Sequence, residues 1–247
     1  MLSVSAEVAT LWTAPDAPRE VDAPAVADVP DLAAWTGALT PPERLGLHGR
    51  TLTQALRGEP AEVLEERGDW LQVALPWQPC VVGRAEPGGY VGWLRRAHLS
   101  PGSPRHRDEP GLPQPNPLDL AREHLGLPYL WAGTSPWGLD CSGLVHLTFR
   151  RLGVVVPRDS PDQQAAATPV DLDDVRPGDL YFFAHEDGRI YHVGFATSRC
   201  DPATGERRML HAPEGDPTAH GHLEDAPMSA RRHADLVAAG RVIPDDG

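Results

Sequence analysis

Cysteine is scarce: Cys80, Cys141 and Cys200 are the only three in 247 residues, odd in number and far apart. That excludes a disulfide framework. Long apolar runs are missing too, and no stretch approaches the ~20 residues needed to span a bilayer. The first residues, Met1 to Val8, have no basic patch leading into an apolar segment, so no secretory leader is read there. Positive charge is in short supply: 22 Lys and Arg against 35 Asp and Glu leave a formal net charge of −13. Such a chain is a poor partner for nucleic acid or an anionic membrane. A small soluble substrate suits it better than an anionic polymer. Together these absences set the expectation of a cytoplasmic protein.

Proline (27) and glycine (24) are plentiful and imply many turns between short elements. Residues 3–12 alternate like a strand, and a proline-studded stretch follows. Within it Asp31 can cap a short helix through Leu32–Trp35, and Pro41–Leu45 reads as another helical turn. Residues 22–48 are therefore read as an insertion packed on a small β domain. Strands are expected at 51–56, 61–66, 70–75 and 90–94, joined by tight turns, the pattern of a small barrel. Six prolines in 101–117 mark a stiff linker. From Leu118 a second domain begins, helices first and antiparallel strands after: an α+β pattern.

One stretch stands out in that second domain. Leu139-Asp140-Cys141-Ser142-Gly143 opens a helix whose apolar positions Leu144, Val145, Leu147, Thr148 and Leu152 fall largely on one face. Asp140 is a good cap. A cysteine there sees unpaired N–H groups and the positive end of the helix dipole, which favour thiolate over thiol. Farther on, Ser160 is read as the N-cap of another helix, with Pro161 first and Gln163 as capping-box partner.

A thiolate nucleophile needs a base nearby in space, and that base needs a third group to hold it. The expected strands 180–183, 190–196 and 208–212 offer His192 and His211, which share a face if the strands are adjacent. Most of the eleven histidines must be structural or exposed. His146 lies inside the cysteine helix. His220 and His222, with His233, lack the ligand set of a zinc site, so no metal is expected. Asp171, Asp173 and Asp174 read as a solvated turn, and Cys80 and Cys200 as incidental.

Taken together, residues 118–215 resemble the NlpC/P60 cysteine peptidases. The signature runs Tyr129-x-Trp131-Ala132-Gly133, Asp140-Cys141-Ser142-Gly143, Pro157-Arg158-Asp159-Ser160, Pro177-Gly178-Asp179, His192-Val193-Gly194 and Leu210-His211-Ala212. The first hundred residues are similar to bacterial SH3-like domains. The resemblance implies a papain-like α+β catalytic domain over 118–247 behind an SH3-like barrel over 1–100. It also implies a Cys141–His192–His211 triad and hydrolysis of γ-D-glutamyl–diamino acid bonds in cell-wall peptides, with no cofactor. Members with this arrangement resemble enzymes that require a free N-terminal L-alanine. Carried over, Asp140 pairs the substrate amine, Tyr129, Ser142, Asp159 and Ser160 line the D-glutamyl site, and Tyr90 walls the cleft from the barrel side. The expected partner is thus a small peptide, in recycling of the wall. Two rival readings are a secreted hydrolase of intact peptidoglycan and a wall-peptide binding module with a dead catalytic half.

Overall fold

A computed structural model describes residues 2–80, 89–102, 116–215 and 221–243. Most of the linker, 103–115, and His220 lie outside the described residues. The N-terminal half is built on seven antiparallel strands: β1 (Leu2–Val4), β2 (Val8–Trp12), β3 (Thr51–Leu56), β4 (Pro60–Arg67), β5 (Trp70–Leu75), β6 (Tyr90–Arg95) and β7 (Leu99–Pro101). Their spatial order is β3-β2-β6-β5-β4-β1-β7. This strand-rich region is compatible with the SH3-like barrel. The single strand expected over 3–12 is two, because the Ser5 N–H turns away to the His98 carbonyl (2.8 Å). The chain thereby leaves β4 and β7 for β3 and β6.

The insertion holds α1 (Ala23–Val26), α2 (Leu32–Ala38) and α3 (Pro41–Leu45). Asp31 caps α2 by accepting from the Ala34 N–H at 2.9 Å. Leu32 and Trp35 pack with Leu39 and Leu47 on Trp12 and Trp93 of the strands, and also on Leu130 of the second half. The insertion therefore joins the two halves as well as covering one of them.

The first helix of the second half begins at Pro117. Asn116 accepts from the Leu118 N–H (2.8 Å) and caps α4 (Pro117–Arg122), so the last linker proline is a first-turn residue of a helix. A two-stranded ladder, β8 (Thr134–Ser135) and β9 (Gly138–Leu139), precedes α5 (Cys141–Arg151) and α6 (Ser160–Ala166). The remaining elements are β10 (Thr168–Val170), β11 (Leu180–Ala184), β12 (Ile190–Ala196), β13 (Arg208–His211), β14 (Glu224–Pro227), α7 (Ala230–Asp235) and β15 (Leu236–Arg241). The six strands form one antiparallel sheet in the order β10-β15-β11-β12-β13-β14, with β15 inserted between the edge strand β10 and β11.

β11 explains why this sheet is firm. Leu180 and Phe182 enter the core that receives α5, while Tyr181 and Phe183 enter a second cluster with Met209, Met228 and Ala239. Both faces are covered, so the strand reads as a continuous apolar run. α5 departs from the one-faced helix expected of it. Every residue from Cys141 to Phe149 is buried, as befits a helix enclosed between layers.

Candidate active site

Asp140 ends an extended approach and caps α5, its Oδ1 accepting from the Gly143 N–H at 2.6 Å. Gly143 is required by contact: a Cβ there would stand 1.9 Å from the Gly133 carbonyl oxygen. The same close approach seats Cys141 at the first helical position, at the edge of a cavity of about 890 Å³ between the two halves of the chain. All nine residues singled out in the sequence line this cavity: Tyr90, Tyr129, Asp140, Cys141, Ser142, Asp159, Ser160, His192 and His211.

The thiol is not the ready thiolate expected of a helix N-terminus. Burial, and then the Asp140 carboxylate, push Cys141 up to about 12, against the opposing pull of the Val193 and Ser142 backbone groups. Desolvation outweighs the dipole here because the side chain is almost wholly enclosed. His192 is held well below its ordinary 6.5, by burial first and then by Arg232 and His211. The resting pair is therefore neutral thiol and neutral imidazole.

His192 Nε2 lies 2.8 Å from His211 Nδ1, and His211 Nε2 lies 3.2 Å from Glu224 Oε1. The two histidines are diagonal neighbours rather than a cross-strand pair. β12 and β13 pair Phe195 with Leu210, and continuing that register sets Gly194 opposite His211. A Cβ on Gly194 would come within 2.9 Å of the His211 Cβ, so glycine opens the space through which the rings meet. Glu224 was not anticipated. It faces His211 only through the β13–β14 register, and no local motif marks it.

Arg158 is the second residue whose part was missed, although its motif was read. Only 1% exposed, it donates to Asp140 Oδ1 and Oδ2 (3.0 and 2.6 Å), to Ser142 Oγ (2.9 Å) and to Thr53 Oγ1 of the barrel (2.8 Å). Burial pulls its guanidinium down, but the carboxylates of Asp140 and Asp159 more than offset this and hold it above its ordinary value. Asp140 thus enters the cavity wall as half of a buried ion pair, not as an isolated carboxylate.

The α6 expectation also changes. Asp159, not Ser160, is the N-cap residue, and it makes no side-chain capping bond. Its Oδ2 instead accepts from the Tyr90 hydroxyl at 2.9 Å, a bridge from the second half to the N-terminal strands. Gln163 does not close a capping box; its Nε2 donates to the Ser142 and Pro157 carbonyls, both at 2.9 Å. A second bridge lies nearby, where His48 stacks on Trp131 (centroids 3.8 Å apart) and reaches Glu214 at 2.7 Å. Burial, followed by acidic neighbours that include Asp140 and Glu214, holds the Tyr129 phenol well above 10 and so keeps it neutral.

The other candidates fall outside the cluster. His146 is buried within α5 with Nδ1 on the Val156 carbonyl (3.0 Å). Asp171, Asp173 and Asp174 are exposed, as are His222 and His233. Cys80 and Cys200 are half-buried and away from the cavity lining. Among the described residues no group of three or more His, Cys, Asp or Glu is arranged to hold a metal, and no helix is long and apolar enough to cross a membrane.

Comparison with known proteins places this geometry. The NlpC/P60 family model matches residues 126–236. A γ-D-glutamyl-L-lysine dipeptidyl-peptidase of Bacillus subtilis (strain 168) is 31% identical over 87% of this chain and 90% of its own length. One of the same name from Bacillus cereus is 29% identical over 96% of this chain and 89% of its own. The crystal structure of an NlpC/P60 family protein from Bacillus cereus superposes with a TM-score of 0.86 at 26% identity, covering 99% of this chain and 100% of that one.

Proposed function

Since the chain belongs to the NlpC/P60 family, we propose that it is a cysteine peptidase that cleaves the γ-D-glutamyl–diamino acid bond of small wall peptides bearing a free N-terminal L-alanine. The observation that carries this reading is the cavity itself, with Cys141 at a helix start on its wall, the His192–His211 pair beside it, and its barrel end bridged by Tyr90 and Asp159.

The chemistry follows from the hydrogen-bond order. A carboxylate only accepts, so His211 donates from Nε2 to Glu224 and accepts at Nδ1 from the His192 Nε2–H. That leaves His192 Nδ1 bare and able to take the Cys141 proton as the sulfur attacks the γ-glutamyl carbonyl. The N–H of Cys141, first in α5, has no intrahelical acceptor and can meet the developing oxyanion. The imidazolium then protonates the departing α-amine of the diamino acid. Water, activated by the same base, hydrolyses the thioester and frees L-Ala-γ-D-Glu.

The free-amine requirement is supported at the barrel end, where Asp140, Asp159 and Glu214 line the wall. Asp140 is already paired with Arg158, so the charges of Asp159 and Glu214 carry the attraction for a small ammonium. The formal charge of −13 fits a diffusible peptide better than an anionic wall. The test uses L-Ala-γ-D-Glu-L-Lys, its meso-diaminopimelate counterpart and the N-acetyl form of each. The native chain should release dipeptide from the free-amine peptides only, and Cys141→Ala should release none. No release by the native chain, or equal release by Cys141→Ala, overturns the peptidase reading. Cleavage of the acetylated peptides overturns the free-amine requirement and favours action on intact wall.

A further inference from the structure

We propose that Arg232 is the specificity residue for the leaving half of the substrate, where it takes the carboxylate of the diamino acid. The inference rests on the peptidase reading above. The cavity extends away from the Tyr90–Asp159 bridge to a second wall made by the β11–β12 hairpin and α7, where His185, Tyr191, Ser229 and Arg232 line it. If the barrel end receives L-Ala-γ-D-Glu, this wall faces the group that departs.

Arg232 is preorganised there. Its guanidinium lies over Phe183 and over Tyr191, 5.3 Å from each ring centroid. Nη1 donates to the Tyr191 hydroxyl at 2.8 Å, and that hydroxyl donates to Asp235 Oδ2 at 2.5 Å. The Asp235 charge is thus engaged through the phenol. Among the described residues no carboxylate lies within ion-pair distance of Arg232, whereas its neighbour Arg231 has Asp235 at 3.6 Å. A half-buried arginine held against two rings, with N–H groups to spare, is suited to a planar carboxylate.

Its position fits the bond to be broken. Phe183 is the cross-strand partner of His192, and their rings stand 5.5 Å apart, so the guanidinium is one ring removed from the base. In a tripeptide the carbon bearing the leaving nitrogen also bears the free carboxylate, so a cation beside the base meets that group as the nitrogen departs. After burial, the Arg232 charge holds both His192 and His211 low. A carboxylate bound on Arg232 offsets that charge and leaves His192 a stronger base when substrate is present.

The test compares L-Ala-γ-D-Glu-L-Lys with its C-terminal carboxamide, which keeps the scissile bond and loses the negative charge. The native chain should favour the acid by about 10- to 100-fold in kcat/KM, the range of one charge-assisted hydrogen-bonded contact. Arg232→Gln should remove that preference by slowing the acid while the carboxamide is cleaved no more slowly, since the cation beside His192 is gone, and Arg232→Lys should restore part of the preference. Equal rates on both peptides by the native chain overturn the inference. So does an equal loss on both in Arg232→Gln, which would mark Arg232 as a support for α7 only. If the native chain cleaves neither these peptides nor their meso-diaminopimelate counterparts, the peptidase reading fails, and this one with it.

Discussion

Glu224 can accept a proton's hydrogen bond but not donate one, and that property orders the tautomers of His211 and His192 behind it. Its distance to His211 is 3.2 Å, and it is 53% exposed, so solvent screens its charge. The expected effect of Glu224→Gln is accordingly modest: kcat about 10-fold lower with KM unchanged, since an amide can still accept from Nε2 but no longer offsets the imidazolium charge. His211→Ala should cost about 10²- to 10³-fold in kcat, within the usual range for general acid–base assistance. Steady-state kinetics on the free-amine tripeptide decides this, and an inactive Glu224→Gln would mean the carboxylate does more than orient. At this scale the sequence was readable where a residue sits inside its own motif. Cys141, His192 and His211 are each flanked by the turn, helix or strand that presents them. Glu224 is not, because its partner is 13 residues away and only strand register brings them together.

At the scale of elements, the two halves are held by buried polar groups as well as by the apolar packing on Leu130. Thr53 and Gln54 of β3 meet Arg158 and Thr134 of the catalytic half. Fully buried Glu59 pairs with Arg150 of α5 and accepts from Gln78. Such networks are satisfied in one docking geometry and penalise others. Arg158 is the most exacting member, since its loss strands the Asp140 carboxylate at the start of the cysteine helix. Arg158→Met, similar in length, should destabilise the protein by about 3–5 kcal/mol, the cost of leaving one partner of a buried ion pair uncompensated. The double variant Arg158→Met with Asp140→Asn should recover much of that loss, because no buried charge remains. Urea midpoints of the two single variants and the double close the cycle, and strict additivity would dissolve the claim. Elements with a strong period were legible: the barrel strands from alternation, α2 from Asp31, and the apolar core strands β11 and β12. β10, β14 and β15 were not. Thr168–Val170 and Glu224–Pro227 are short, and each contains proline, while Leu236–Arg241 follows α7 with no turn signal between them. The Ser160 cap was misplaced because Asp159 serves a tertiary bond to Tyr90 instead of its own helix.

For the whole molecule, the histidines set the response to acid. Burial first, then nearby arginine charge, lowers His146 and His211 to about 3 each and holds His192 well below 6.5. In the unfolded chain each returns to about 6.5, so below that value the unfolded state binds more protons than the folded one. Stability is then fully present above about pH 6.5 and declines as pH falls toward 3. At pH 5 the loss is about 2 kcal/mol for each of His146 and His211, from 1.5 pH units at 1.36 kcal/mol per unit. Some 4 kcal/mol is a large part of the roughly 5–15 that holds an ordinary domain together. The alkaline side has the opposite origin. Cys141 lies at about 12 against an ordinary 9.0, so above pH 9 the unfolded thiol ionises while the folded one does not, and stability falls again. Urea midpoints from pH 4.5 to 10 should therefore form a plateau between about 6.5 and 9 with a falling limb on each side. Cys141→Ala should flatten the alkaline limb and leave the acid limb in place. His146→Gln, remote from the cavity, should do the reverse by making the acid limb shallower. A midpoint that stays level from pH 7 to pH 5 would show that these histidines are not held neutral in the folded chain.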